Sequence, residues 1–245
     1  MDIGTISFSW QFVTAFLSIV LIDLILAGDN AVVIAMAVRS LPKAQRKKGI
    51  ICGAGAAIAL RVVLTFFIAQ LLTISFLKLA GGALILWIAV KLFVEGVPEE
   101  NLKREAATMM QAMKVIVVAD ITMSTDNMLA VAGASHGNIF LLIFGLGLSI
   151  PFIVFTSNLL SILMDKYPII VYIGAAILGK VGGEMMITDP VIAGWLHPGK
   201  TLQYCVEGFF AVGVLAVGKL WLKWQISKAA KETENEGSTK SETAD

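Results

Sequence analysis

Charge is what this sequence is short of. Only 15% of its 245 residues are Asp, Glu, Lys or Arg, where an ordinary globular domain has about 25%. Hydrophobic residues make up 57%, and the mean hydropathy is +0.83. A soluble fold would be left with apolar surface it could not cover, whereas a polytopic membrane protein needs no such cover. Cysteine is nearly absent too. Cys52 and Cys205 each lie inside an apolar run, which excludes a disulfide framework and a CxxC metal site and leaves both as small residues expected in the packed interior. The two histidines, His136 and His197, fall in predicted outer loops, so no imidazole is expected among buried ligands. The opening stretch "MDIGTISFSW" lacks the positive start and the small-residue cleavage site of a signal peptide. The first apolar segment therefore reads as a retained spanning helix. A net charge of +1 gives no argument for nucleic acid, and no such partner is expected.

What is there is a series of long apolar runs. A spanning helix needs about 20 mostly apolar residues, and seven segments qualify: roughly 10–38, 49–72, 75–94, 112–134, 138–163, 168–187 and 204–224. The expected fold is all-α, a single membrane domain over 1–226 followed by a disordered cytoplasmic tail over 227–245, polar and low in aromatics. Basic residues sort to one side of this series. Arg39, Lys43, Arg46, Lys47 and Lys48 follow the first segment, Lys103 and Arg104 the third, Lys166 the fifth, and Lys219, Lys223 and Lys228 close the seventh. The other side carries only Lys78 and Lys200 near its loops. This asymmetry puts the N-terminus outside and the C-terminus inside a bacterial plasma membrane. Closely spaced glycines (53 and 55, 81 and 82, 145 and 147, 179 and 183) point to tight helix packing. Pro151, in mid-segment, predicts a kink.

One polar signature is written twice. Residues 20–33 read "VLIDLILAGDNAVV" and residues 117–130 read "VVADITMSTDNMLA". Asp23 matches Asp120, Asp29 matches Asp126 and Asn30 matches Asn127, each at an offset of 97. The runs that follow also correspond loosely, "GAGAAIALRVVL" with "GLGLSIPFIVF" and "GGALIL" with "IGAAIL". Segments one to three (10–94) and four to six (112–187) therefore read as two copies of one unit, with a seventh helix (204–224) added. Because three is odd, the second copy enters the membrane from the opposite side. Such 3+3 inverted repeats are common in secondary transporters, with substrate sites near the midplane between copies.

On a continuous helix Asp23 and Asn30, seven apart, nearly eclipse, while Asp29 points roughly 120° away. Gly28 and Ser124–Thr125 are places where a local break would turn both aspartates to one cavity; tilt is the other way to absorb the first segment's length. A charged carboxylate at the bilayer centre costs at least about 2.5–3.5 kcal/mol. Four of them would repel unless neutralised, and a divalent cation does that. Oxygen-only ligands suit Mg²⁺, Ca²⁺ and Mn²⁺. The candidate metal-binding set is Asp23, Asp29, Asn30, Asp120, Asp126 and Asn127. The ion is cargo, and no permanently bound cofactor is expected. The same aspartates could take up protons as the metal leaves, a hypothesis for coupled exchange. Arg61 is a candidate ion-pair partner for one of the four, and Glu184 is either an extra ligand or the partner of Lys180.

The motifs "IDLILAGDNAVVIAMAVRSLP" (22–42) and "ADITMSTDNMLAVAG" (119–133) resemble the TerC family of integral membrane proteins, over about 8–224. The similarity is to short members of the YjbE type, which lack appended cystathionine-synthase-like domains. The family belongs to a lysine-exporter-like transporter group associated with manganese efflux and, historically, tellurite resistance. The resemblance implies Mn²⁺ export through the six residues named above. "STDN" in place of "AGDN" makes the second half-site a less symmetric copy, and tellurium resistance has no visible residue-level basis. Other readings stay open: export of an amino acid or another small solute, or a non-transporting role in loading exported enzymes with metal. An intramembrane aspartyl protease would need GxGD, which neither copy has, so no enzyme is expected. A homo-oligomer is left open.

Overall fold

The computed structural model describes residues 10–71, 74, 76–97, 108–135 and 139–242; at some helical positions, Asp23, Asp126 and Asn127 among them, it describes the backbone alone. The described residues form helices and no strand: α1 (Trp10–Arg39), α2 (Lys43–Leu71), α3 (Leu77–Gly96), α4 (Met109–Ser135), α5 (Ile139–Lys166), α6 (Ile169–Ile187), α7 (Pro190–Leu196) and α8 (Lys200–Glu242). Each of the seven expected segments coincides with one long helix. Among the described residues, five stretches are long and apolar enough to cross a membrane: Lys43–Thr65, Leu77–Gly96, Ile143–Lys166, Ile169–Ile187 and Lys200–Lys228.

The packing has a two-fold pattern. α1 packs chiefly on α5 and α4, α4 on α2 and α1, α3 on α6, and α8 lies against α6 and α3. Exchanging α1–α3 with α4–α6 turns the α1/α5 pair into the α4/α2 pair and leaves α3/α6 and α1/α4 unchanged. Single residues obey the same exchange. A side chain at Gly53 would collide with Ile116, and one at Gly145 would collide with Ile19. Glycines thus sit where isoleucines of the other copy press in, and close approach through small residues holds the bundle together. Gly82 meets backbone rather than side chain: a Cβ there would lie 2.6 Å from the carbonyl oxygen of Gly182 on α6.

One end of the bundle is fastened by arginines. Arg39 Nε donates to Asp165 Oδ1 at 3.2 Å and its Nη1 donates to the Gly96 carbonyl. Arg46 donates to the other Asp165 oxygen, to the Arg39 carbonyl at 2.8 Å and to the Leu41 carbonyl at 3.2 Å. The ends of α1, α3 and α5 and the start of α2 therefore meet, as alternate threading of the chain requires. Short α7 occupies what the sequence reads as a loop. Asp189 caps it by accepting from the Val191 N–H at 3.0 Å, and its other oxygen accepts from the Leu79 N–H at 3.1 Å, which ties α7 to the start of α3. Trp195 on α7 is 81% exposed, a position suited to the headgroup region.

The expectation for the cysteines needs correction, and the choice left open at Gly28 and Ser124–Thr125 falls to the continuous helix. The helices are unbroken at Gly28 and at Ser124–Thr125. Unwinding would free carbonyls that need new partners away from water, and a continuous α1 keeps its own. α5 carries Pro151 within its length. Cys52 and Cys205 are exposed on helix surfaces; with lipid outside, apolar residues have no reason to turn inward, as Phe155, Phe209 and Leu220 also show. α8 extends from Lys200 to Glu242, and "SKAAKE" within it is built from good helix formers.

Substituting Gly82→Ala should destabilise the α3/α6 pair by about 1–3 kcal/mol. Gly147→Ala, with nothing within 4 Å of the added Cβ, should be neutral or gain up to about 1 kcal/mol. Thermal unfolding of both variants in detergent checks this.

Candidate functional site

Because α1 is continuous, Asn30 keeps the face it shares with Asp23, and Asp29 does not. On α4, Asp120, Ser124 and Asn127 follow at i, i+4 and i+7 and form one stripe. These two faces meet. Asn30 and Asp120, 5% and 3% exposed, line one cavity of about 10 Å³ with Val33, Ile34, Ala57 and Ile116. That is about the space of a single water molecule. The site thus takes a polar group from each copy and closes the rest with aliphatic side chains.

Asp120 is already engaged. Arg61 on α2 clamps it, with Nη2 2.7 Å and Nε 3.1 Å from Oδ1, and Nε 3.3 Å from Oδ2. Both side chains are about 4% exposed or less. A planar guanidinium suits this position because its fork matches a carboxylate. Thr65, one turn on, spends its hydroxyl on the Arg61 carbonyl at 2.6 Å, so it does not compete for Asp120. The expectation that Arg61 pairs with one of the four aspartates is met at Asp120.

Asp29 faces elsewhere. It is partly buried and within electrostatic reach of Lys180 on α6. Lys180 Nζ lies 3.5 Å from Glu184 and 3.6 Å from Glu207 on α8, and Gln203 donates to Glu207 at 3.0 Å. Glu184 is half exposed and belongs to this second cluster. Glu207, 3% exposed, is a polar centre that the sequence reading missed. Its signal was an acid inside the last apolar segment, 204–224. The side chains of Asp23, Asp126 and Asn127 lie outside the described residues. Among the described residues no three His, Cys, Asp or Glu side chains gather as a ready metal cage.

Three buried hydroxyls have no hydrogen-bond partner among the described residues: Ser124, Ser149 and Ser157. α1 and α5 run parallel in a steady register, Ile19 against Gly145 and Arg39 against Asp165. That register puts Ser149 at the level of Asp23.

The integral membrane protein TerC family model matches residues 8–229. The chain belongs to the TerC family. It is 44% identical over 179 residues to the uncharacterized membrane protein YjbE of Bacillus subtilis, covering 73% of this chain and 82% of that one. It is 22% identical over 187 residues to the UPF0053 inner membrane protein YgdQ of Escherichia coli K12, covering 69% and 78%. It is 25% identical over 177 residues to the uncharacterized membrane protein YceF of Bacillus subtilis, covering 69% and 68%. No solved structure matches. Membership in the TerC family, relatives named as membrane proteins and five spanning-grade helices place the protein in the membrane.

In this TerC-family chain, Asp120→Asn should break the buried Arg61–Asp120 pair and cost about 3–5 kcal/mol. The double variant Arg61→Met/Asp120→Leu should recover most of that loss. Thermal unfolding in detergent reads both.

Proposed function

We propose that the protein exports a divalent metal cation, with Mn²⁺ as cargo. In this reading seven helices cross the bilayer as a 3+3 inverted repeat plus one, N-terminus outside and C-terminus inside, and the ion binds between the copies. The observation that carries it is the shared cavity: Asn30 from the first copy and Asp120 from the second line one buried space. A buried amide oxygen and carboxylate are hard ligands that favour Mg²⁺, Ca²⁺ or Mn²⁺ over thiophilic ions. The described acids alone do not suffice for a cage, so the reading needs Asp23 and Asp126 to complete the oxygen set. Asp29, turned toward Lys180, serves as a relay on the path to the site rather than as a ligand within the cavity. The return of the carboxylates, protonated, would couple export to a proton gradient. The ion is substrate, with no resident cofactor and no bond-making chemistry.

Cells carrying Asp29→Asn or Asp126→Asn should accumulate Mn²⁺ above the wild-type level, to the level of a deletion strain. Elemental analysis of washed cells measures it. Unchanged Mn²⁺ in both variants, with both proteins present in the membrane, would refute the export reading.

A further inference from the structure

Arg61 is a buried cation that export alone does not require, and its surroundings suggest why it is there. In the first place, it holds the one carboxylate known to line the shared cavity. The same oxygens that a metal ion would use are taken by Nε and Nη2 at 2.7–3.3 Å. A cation that draws on both oxygens competes with the guanidinium for them.

Secondly, the matching place in the other half carries no arginine. The matching contacts of Gly53 with Ile116 and Gly145 with Ile19 align α2 with α5 at an offset of 92. By that alignment the counterpart of Arg61 is Ile153, 3% exposed and apolar. The counterpart of the cavity residue Ala57 is Ser149, whose buried hydroxyl has no partner among the described residues. A pair kept only to hold helices together would serve both halves alike. Here one half carries a fixed positive charge and the other carries an open oxygen. Thirdly, the displaced group has somewhere to go. Ser124 is one turn, about 5.4 Å, along the same face of α4, fully buried, with a hydroxyl that has no partner among the described residues.

We propose that Arg61 is a tethered stand-in for the cargo: its guanidinium neutralises Asp120 while the site is empty and yields the carboxylate when a divalent cation enters. The proposal rests on the cation reading above and assigns the group that keeps the empty site neutral. With the stand-in seated, Asp120 stays neutralised in the apolar interior while the carrier is empty.

The test uses the full chain purified in detergent, with Mn²⁺ binding followed by the electron paramagnetic resonance signal of the free ion. Arg61→Gln removes the competitor and should tighten Mn²⁺ binding by about tenfold or more, within the usual range of coupling between two ligands. Efflux from Mn²⁺-loaded proteoliposomes should slow in the same variant, because release loses its competitor. Arg61→Lys keeps the charge without the fork and should fall between wild type and Arg61→Gln; it carries the test if the glutamine variant aggregates. Adding Asp120→Asn to Arg61→Gln should abolish the gain. Wild-type binding with unchanged or weaker affinity in both Arg61 variants would overturn the stand-in and leave the cation site standing. Absence of Mn²⁺ binding in the wild type and every variant would overturn the cation site, and the stand-in with it.

Discussion

A carboxylate held away from water between helices has to be neutralised, and much of this structure is arranged around that demand. Asp120 sits 3% exposed at the meeting of α2, α4 and α1. Unpaired, it would cost more than the fold could return from the aliphatic residues that surround it. Arg61 meets the demand with two nitrogens, so α2 is fixed in register against α4 by charge as well as by the Gly53–Ile116 contact. Asn30 then approaches from α1 as a neutral polar group, which suits a place where one carboxylate is already paired.

Close packing makes the charge pairing possible. Without a hydrophobic force between helices in lipid, association depends on fit and on small residues that let backbones approach. Gly82 against Gly182, and the two glycine–isoleucine contacts related by the exchange of copies, supply that fit. The apolar side chains left over, such as Phe155 and Phe209, turn outward. A soluble protein could not tolerate that surface; a bilayer solvates it.

Much of this was legible in the sequence. Hydropathy located every long helix to within a few residues, except where the polar end of α8 continues past 224. Two aspartate–asparagine helices at a fixed spacing announced the repeat, and the sorting of basic residues anticipated the cluster in which Arg39 and Arg46 share Asp165. What could not be read was azimuth. An apolar run has almost the same composition all round, so nothing in it says which face is inward. Cys52 and Cys205 were therefore assigned to the interior and lie outside. The choice between unwinding and tilt at Gly28 is an energetic one, made by backbone bonds that leave no mark in the residue pattern. Glu207 escaped notice because a single acid in an apolar segment has no partner in sequence; its partner, Lys180, lies on another helix.

The parallel pairing of α1 with α5, and of α2 with α4, has a mechanical consequence. Ile19 on Gly145 and Arg39 on Asp165 lash α1 to α5 along most of their length, while Gly49 on Met109 and Arg61 on Asp120 join α2 to the first half of α4. Each bound rod takes one helix from either half of the gene product. Should the bundle pivot as rigid parts, the parts are these mixed rods, and the cavity between Asn30 and Asp120 lies on the seam where they slide.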